Sequence, residues 1–530
     1  MEQSRTRDAI RFGETALGIE LGSTKIKAVL INSEYKPVAS GSHDWKSSCI
    51  NGIWTYSLDD VWNGLQDCYR RLCADVKERY GLELTNIGCI GFSAMMHGYL
   101  PFDKDGRQLA PFRTWQNTIT GEASAELSEM FKFNIPQRWS IAHLCQAILN
   151  DEAHVNDISF LTTLAGYVHW QLTGRKVLGV GDASGMFPVD SGTNDYDEGM
   201  IEAFQRKITP KYKWKIKDIL PRVLTAGGDA GVLTPAGAKK LDPSGKLRPG
   251  IPLCPPEGDA GTGMAATNSV AAHTGNVSAG TSIFSMVVLD SPLKNYYPEI
   301  DMVATPDGLP AAMVHCNNCT ADMNAWVDML GGFAQSMGLK CGPDEIYPRF
   351  YAKALEGSPD CGGLVVYNYL TGEPVTGVNR GMPMLVRSKS GNFTFADFCR
   401  ANMYSALAAL KIGMDILKKE DVKVECLTGH GGLFRHAGAG AEFLAAAVGV
   451  PVSTMETAAV GGPYGMALLA AYALDKNNGS LAGFLSEKVF AGAKTTVTQP
   501  DRVDAEGFAK FLKRYTAGLD AEKAAGKIEN

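Results

Sequence analysis

The chain has 530 residues, 45% of them hydrophobic and 20% charged, and a formal net charge of −6. That length predicts two domains of roughly 250 residues each, with the composition of a globular protein. The acidic balance argues against a nucleic-acid or anionic-membrane partner, and the longest apolar stretch, 458–474, is broken by Gly461, Gly462 and Pro463, so it reads as a buried helix with its lead-in.

Residues 1–14 scatter charges and carry no apolar core, so they do not form a signal peptide. Residues 16–32 read as two strands joined by a tight turn at Gly22, Ser23 and Thr24. GIELGSTKIKAVL can be laid on NVSAGTSIFSMVV, with Gly22, Ser23 and Thr24 on Gly280, Thr281 and Ser282. The second copy lies roughly half a chain length further on, the mark of a duplicated unit. Glycine turns with hydroxyl side chains turn backbone N–H groups towards anionic oxygens. This is no Walker loop, because the lysine-containing consensus is absent and the turn leads into a strand. Lys25 either adds a positive charge at that turn or is a solvated strand residue.

The spacing predicts an amphipathic helix over 58–80 and a buried strand over 87–92. The loop 93–98 leaves the carboxyl end of that strand, where ligands gather in open α/β sheets. Met96, His97, Trp115 and Asn117 fall in this one excursion and look like a sugar pocket, an aromatic face with hydrogen-bonding edges. A hairpin turn is expected at 103–106 and a return strand at 115–117. Residues 122–170 read as helical and uninformative about chemistry. Asp182 reads as a side-chain cap on the 182–185 turn rather than a catalytic acid. A polar loop-and-short-helix segment is expected over 195–250.

Glu257 to Ala260 place the lone carboxylate of Asp259 among small residues, next to the second phosphate turn. Further on, the pair Cys316 and Cys319 lacks a second ligand pair, so it reads as a structural loop or pocket wall. The twelve cysteines are spread singly otherwise and read as reduced thiols, which favours a cytoplasmic enzyme. A strand followed by a Gly/Pro loop is expected over 361–374. The helix over 394–420 starts at Thr394 with Asp397 three residues on, and its stripe is Phe395, Phe398, Leu407, Leu410, Met414 and Leu417. Gly429, Gly431 and Gly432 lie between a strand and an Ala-rich helix, where a flat ring or a phosphate can approach the backbone. The tail beyond 501 reads as a peripheral helix.

Taken in order, these pieces resemble the FGGY family of carbohydrate kinases, which share the actin/Hsp70-type ATPase fold. The resemblance runs from GIELGSTKIKAVL to GPYGMALLAAY and rests on an ordered set: the two phosphate turns, the Met-His-Gly loop with its Trp, DASG, the Gly-Asp stretch, YLTGEP and the Gly-Gly loop. It implies an α/β protein of two duplicated ribonuclease H-like domains, 1–270 and 271–530, with an interdomain cleft. It further implies that Asp259 is the general base and also a metal ligand with Glu20, and that Gly22, Ser23, Thr24 and Lys25 with Gly280, Thr281 and Ser282 hold the phosphates of ATP. Gly429, Gly431 and Gly432 would lie against the adenosine, Met96, His97, Trp115, Asn117 and Asp259 would bind the sugar, and Mg²⁺ would bridge the phosphates. The Met96–His97 loop is similar to that of the family's xylulose kinases and points to D-xylulose, with L-ribulose or another ketose or polyol as the alternative. The chain departs from the family at Glu20 (usually Asp), at Asn117 (usually Asp), at Ile119 (commonly Arg) and at Ala260. Other classes remain open: a sugar- and nucleotide-binding regulator that has lost catalysis, or an actin-like ATPase acting on proteins. A homodimer is one assembly left open.

Overall fold

A computed structural model describes residues 2–209, 211–435, 438–455, 461–475 and 479–528. Residues 458–460, the lead-in of the 458–474 segment, lie outside the described residues.

The first sheet is built from β1 (Ala16–Leu21), β2 (Lys25–Ile31), β3 (Pro37–Asp44), β4 (Cys89–Ala94) and β5 (Glu257–Gly258). Their spatial order is β5-β4-β1-β2-β3, with antiparallel pairs on the β3 side and parallel pairs on the β5 side. Helix α1 (Leu58–Tyr80) covers one face with Val61, Leu65, Cys68, Leu72 and Val76. It starts where the Ser57 hydroxyl accepts the Asp60 N–H at 3.0 Å and stops at Gly81, whose φ of 65° suits the left-handed C-cap. Helix α2 (Ser140–Leu149) lies in the long stretch of chain between β4 and β5, and the short helix α3 (Asp259–Ala266) leaves β5 directly.

The second sheet comprises β6 (Thr274–Ala279), β7 (Ile283–Val288), β8 (Ile300–Ala304), β9 (Pro310–Cys316), β10 (Cys426–Gly431), β11 (Val452–Met455) and β12 (Thr495–Thr498). Its order is β8-β9-β7-β6-β10-β11-β12. The inner five strands repeat the order and directions of the first sheet, so the duplication visible in the two turns extends to the whole sheet. The overlay holds along the first strand of each hairpin and slips on the second. Leu21 pairs with Ile26 but Ala279 pairs with Ile283, because the second turn is one residue shorter.

Helix α4 (Phe395–Lys419) backs the second sheet, and the Thr394 hydroxyl accepts the Asp397 N–H at 3.1 Å. Phe395 is 48% exposed, so the buried stripe begins at Phe398. Helix α5 (Gly462–Leu474) follows β11 in the chain yet packs on β1, β2 and β4 of the first sheet and crosses α3. Two glycines permit this. A Cβ on Gly18 would overlap the Pro463 carbonyl, and one on Gly465 would overlap the Thr262 carbonyl.

Several expectations need correction. Residues 115–117 form a turn and loop; the return pairing comes before them, Gln108 with Phe102 and Arg113 with Tyr99. A strand, Phe160–Thr162, interrupts the region read as helical and pairs with Leu100–Phe102. The tail is not peripheral: helix α6 (Arg502–Ala517) buries Phe508, Phe511 and Tyr515 in the second core. No described helix is long and apolar enough to cross a membrane.

Candidate active site

The sheet register assembles the site. Glu20 on β1, Ser93 on β4 and Glu257 on β5 are lateral neighbours and therefore share one face near the carboxyl ends of these parallel strands. One residue beyond β5, Asp259 opens α3, so its carboxylate stands at a helix amino end, where negative charge is favoured. The Met96 N–H donates to Asp259 Oδ1 at 3.2 Å.

Four carboxyl groups meet here. Asp182 and Glu257 are each 1% exposed, Glu20 is partly buried, and Asp259 alone is exposed. Protein still surrounds most of the Asp259 carboxylate, and this desolvation raises its pKa above the ordinary aspartate value. The Met96 N–H, the first N–H groups of α3 and the Arg138 guanidinium oppose the rise. Burial, then the Asp259 charge, pushes Glu20 to about 7, with Lys27 opposing. Burial and the neighbouring Asp182 push Glu257 to about 8, although its carboxylate accepts N–H groups of Gly181, Asp182 and Gly258. Asp182 is pushed to about 7 by burial. Its Oδ2 accepts the Thr163 hydroxyl at 2.6 Å and its Oδ1 is buried without a partner, so it is no turn cap as read from the sequence.

The sugar-loop residues divide. His97 has φ 70° and is 5% exposed, its Nδ1 lies 3.0 Å from the Gly185 carbonyl, and its ring stacks on Trp139 at 6.0 Å. Burial, then Arg138, holds its pKa well below the usual value, so the ring is neutral with Nδ1 donating and Nε2 left as an acceptor. Met96 packs over Gly258, where a Cβ would collide with its side chain. Trp115 is 39% exposed and donates its indole N–H to Ser23 Oγ at 3.3 Å, which joins the sugar loop to the first phosphate turn. Asn117 does not offer a hydrogen-bonding edge to a ligand. Its Oδ1 accepts from the Trp54 N–H at 2.8 Å and its Nδ2 donates to the Trp54 and Thr114 carbonyls at 2.9 Å, in a site 2% exposed.

The first phosphate turn is braced from behind. The Trp45 indole donates to the Gly22 carbonyl and the Tyr56 hydroxyl to the Ser23 carbonyl, both at 2.7 Å. The N–H groups of Gly22 and Gly280 are used within their own turns, at 3.0 Å to Lys25 O and 2.8 Å to Ser282 O. Among the described residues, the backbone N–H groups of Ser23, Thr24, Thr281 and Ser282 have no protein acceptor. Lys25 is exposed and pairs at 3.0 Å with Asp44; Lys27 lies directly across from Glu20, and its charge opposes the rise in the Glu20 pKa. Of the three glycines read as an adenosine contact, Gly429 lies inside β10 and makes room for the Phe434 ring, and Gly431, at φ 100°, lies against the Ala279 carbonyl. Only Gly432 has open space beside it.

Glu20 lies against Gly462 at the amino end of α5. Ser93 Oγ, fully buried in the same row, has no hydrogen-bond partner. Carboxylate and hydroxyl oxygens suit Mg²⁺. The described residues include no group of three or more His, Cys, Asp or Glu able to hold a metal alone. The donor set therefore suits an ion completed by phosphate oxygens. Cys316 and Cys319 are buried free thiols, their pKa values raised by burial.

Sequence reasoning singled out Asp182 but read it as a turn cap, and it missed Arg138, Asp301 and Lys27. Arg138 and Asp301 form an ion pair, and the Arg138 charge reaches His97, Asp259 and His315. Alternation places Lys25 and Lys27 on the same face of β2 and cannot separate them, and nothing local marks Arg138 or Asp301.

The N-terminal domain of the FGGY family of carbohydrate kinases matches residues 15–260, and its C-terminal domain matches residues 275–474. A xylulose kinase of Haemophilus influenzae is 21% identical over 419 residues, 77% of this chain and 80% of that protein. Among solved structures, a xylulose kinase from Rhodospirillum rubrum superposes with a TM-score of 0.79 at 18% identity, over 97% of this chain and 100% of that one. A gluconate kinase from Lactobacillus acidophilus also gives 0.79 at 18% identity, covering 96% and 98%. With both of its domains matched in order and the duplicated sheets in place, the chain belongs to the FGGY family of carbohydrate kinases and is a sugar phosphotransferase.

Proposed function

We propose that the chain transfers the γ-phosphate of ATP to a hydroxyl of a ketopentose, D-xylulose first, in the cytoplasm, with residues 1–270 and 271–530 closing around both substrates. One observation carries this reading: of the four clustered carboxyls, Asp259 is the most open to solvent, and it is held by the N–H of the Met96–His97 loop. In this reading Asp259 accepts the hydroxyl proton as that oxygen bonds to the γ-phosphorus and ADP leaves. Its raised pKa makes it a stronger base than a free aspartate, which aids proton transfer. His97 Nε2 accepts a sugar hydroxyl, and the free N–H groups of Ser23, Thr24, Thr281 and Ser282 meet phosphate oxygens, with Lys27 adding charge and Gly432 leaving room for adenosine. Glu20 and Asp259, with Ser93 behind them, would hold Mg²⁺, which when bound neutralises charge on the phosphates.

L-Ribulose is the second candidate, because the amide of Asn117 is locked onto Trp54 and Thr114, leaving sugar choice to other residues. The test is ADP release with Mg-ATP across D-xylulose, L-ribulose, D-ribulose, L-xylulose, gluconate and glycerol. Turnover on D-xylulose supports the reading; turnover confined to another compound replaces the sugar. Silence on all, with ATP bound, favours the regulator.

A further inference from the structure

The strand β8 reaches across to the first domain at both of its ends. At Asp301, which is 6% exposed, Oδ1 accepts from Asn134 Nδ2 at 2.7 Å and Oδ2 pairs with the Arg138 guanidinium. At Ala304, the N–H donates to Ser184 Oγ at 2.9 Å. The residues gripped at these two points are those that hold the sugar loop. The Gly98 N–H donates to the Arg138 carbonyl at 3.2 Å, the Ser140 hydroxyl donates to the Gly98 carbonyl, and the His97 ring lies on Trp139. On the other side, the His97 ring bonds the carbonyl of Gly185, next to Ser184. The loop itself runs through left-handed backbone, φ 70° at His97 and 92° at Gly98; at His97, a residue with a side chain, that conformation persists only where its surroundings enforce it. Its first residue, Met96, donates to Asp259.

We infer that Arg138 is a positioning residue: its ion pair with Asp301 of the second domain sets the Met96–Gly98 loop, and through that loop the Asp259 carboxylate, only when the two domains are together. The inference rests on the reading of Asp259 as the base. A buried ion pair adds little net stability over an uncharged replacement, but it does fix geometry. Separation of the domains withdraws Asp301 from Arg138 and the Ala304 N–H from Ser184, and releases the loop from both sides. The base is thereby aligned in the closed molecule and idle in the open one.

The test uses Asp301→Asn and the double variant Arg138→Met/Asp301→Asn. The double variant leaves no unpaired buried charge and so keeps the fold even if the single one does not. Hydrogen exchange of peptides spanning 95–99 should be about tenfold or more faster in both variants, with the β6–β7 hairpin unchanged as a control. In the coupled assay kcat should fall about ten- to a hundredfold, as expected for a displaced catalytic group, with the sugar KM within about threefold. Because the two residues act as one unit, the double variant should be no worse than the single. Wild-type exchange in the 95–99 peptides, or faster exchange with unchanged kcat, overturns the inference. A wild-type enzyme silent on every sugar removes the kinase reading instead, and the exchange measurement still decides whether the pair sets the loop.

Discussion

Asp259 is exposed where its neighbours Asp182 and Glu257 are buried, and the proposed function gives it different work from theirs. Asp259→Asn keeps the Met96 contact but loses the proton acceptor, so kcat should fall about 10²- to 10⁴-fold. Sugar affinity measured by calorimetry should stay within a few-fold; full turnover would remove Asp259 from the chemistry. Because burial raises its pKa, kcat/KM should climb with pH through a value above the ~3.9 of a free aspartate. An acid limb at or below that value would contradict the role. Glu257 is raised from 4.5 to about 8 by burial, so the folded chain keeps a proton that the unfolded chain has released. Its contribution is therefore least costly below the unfolded value, and stability should fall as pH rises through about 8. Urea midpoints from pH 5 to 9 should show that slope, and Glu257→Gln should flatten it. An unchanged slope in the variant would mean that other groups govern the dependence.

At the scale of elements, period and caps made α1 and α4 readable, because Ser57, Gly81 and Thr394 act within a few residues of themselves. The seating of α5 was not readable from its own residues, which are apolar on nearly every side. Its place is set by Gly18 and Gly465, whose missing side chains admit a backbone from elsewhere in the chain. Gly18→Ala should cost about 1–3 kcal/mol or more by overpacking. The loss should appear in urea unfolding of the whole chain, and a variant within experimental error of wild type would contradict the close approach. The tail helix shows the same limit: Phe508, Phe511 and Tyr515 look like an ordinary amphipathic stripe until the second core is seen to need them.

For the whole molecule, the proposed function has substrates contacting both lobes with their related sheets, so they should favour the closed state. Small-angle scattering with sugar and a non-hydrolysable ATP analogue should show a smaller radius of gyration than the free protein. Asp301→Asn should weaken that compaction, since it removes the charge opposite Arg138. Equal scattering with and without ligands would mean that the lobes are already fixed in one arrangement.

The ordered motifs alone determined the duplicated α/β architecture, the kinase family, and Asp259 as the residue to test, because each depends on local spacing: turns between alternating strands, and an acid among small residues. The tertiary structure decided which of the marked residues are already held by other parts of the chain. Lys25 and Lys27 are two residues apart, but only Lys27 lies across from Glu20. Asn117 sits in a plausible sugar motif and is occupied by Trp54, sixty-three positions away in the chain. The Arg138–Asp301 pair joins residues from different domains. Such pairings are set by long-range packing, and no window of sequence contains both partners.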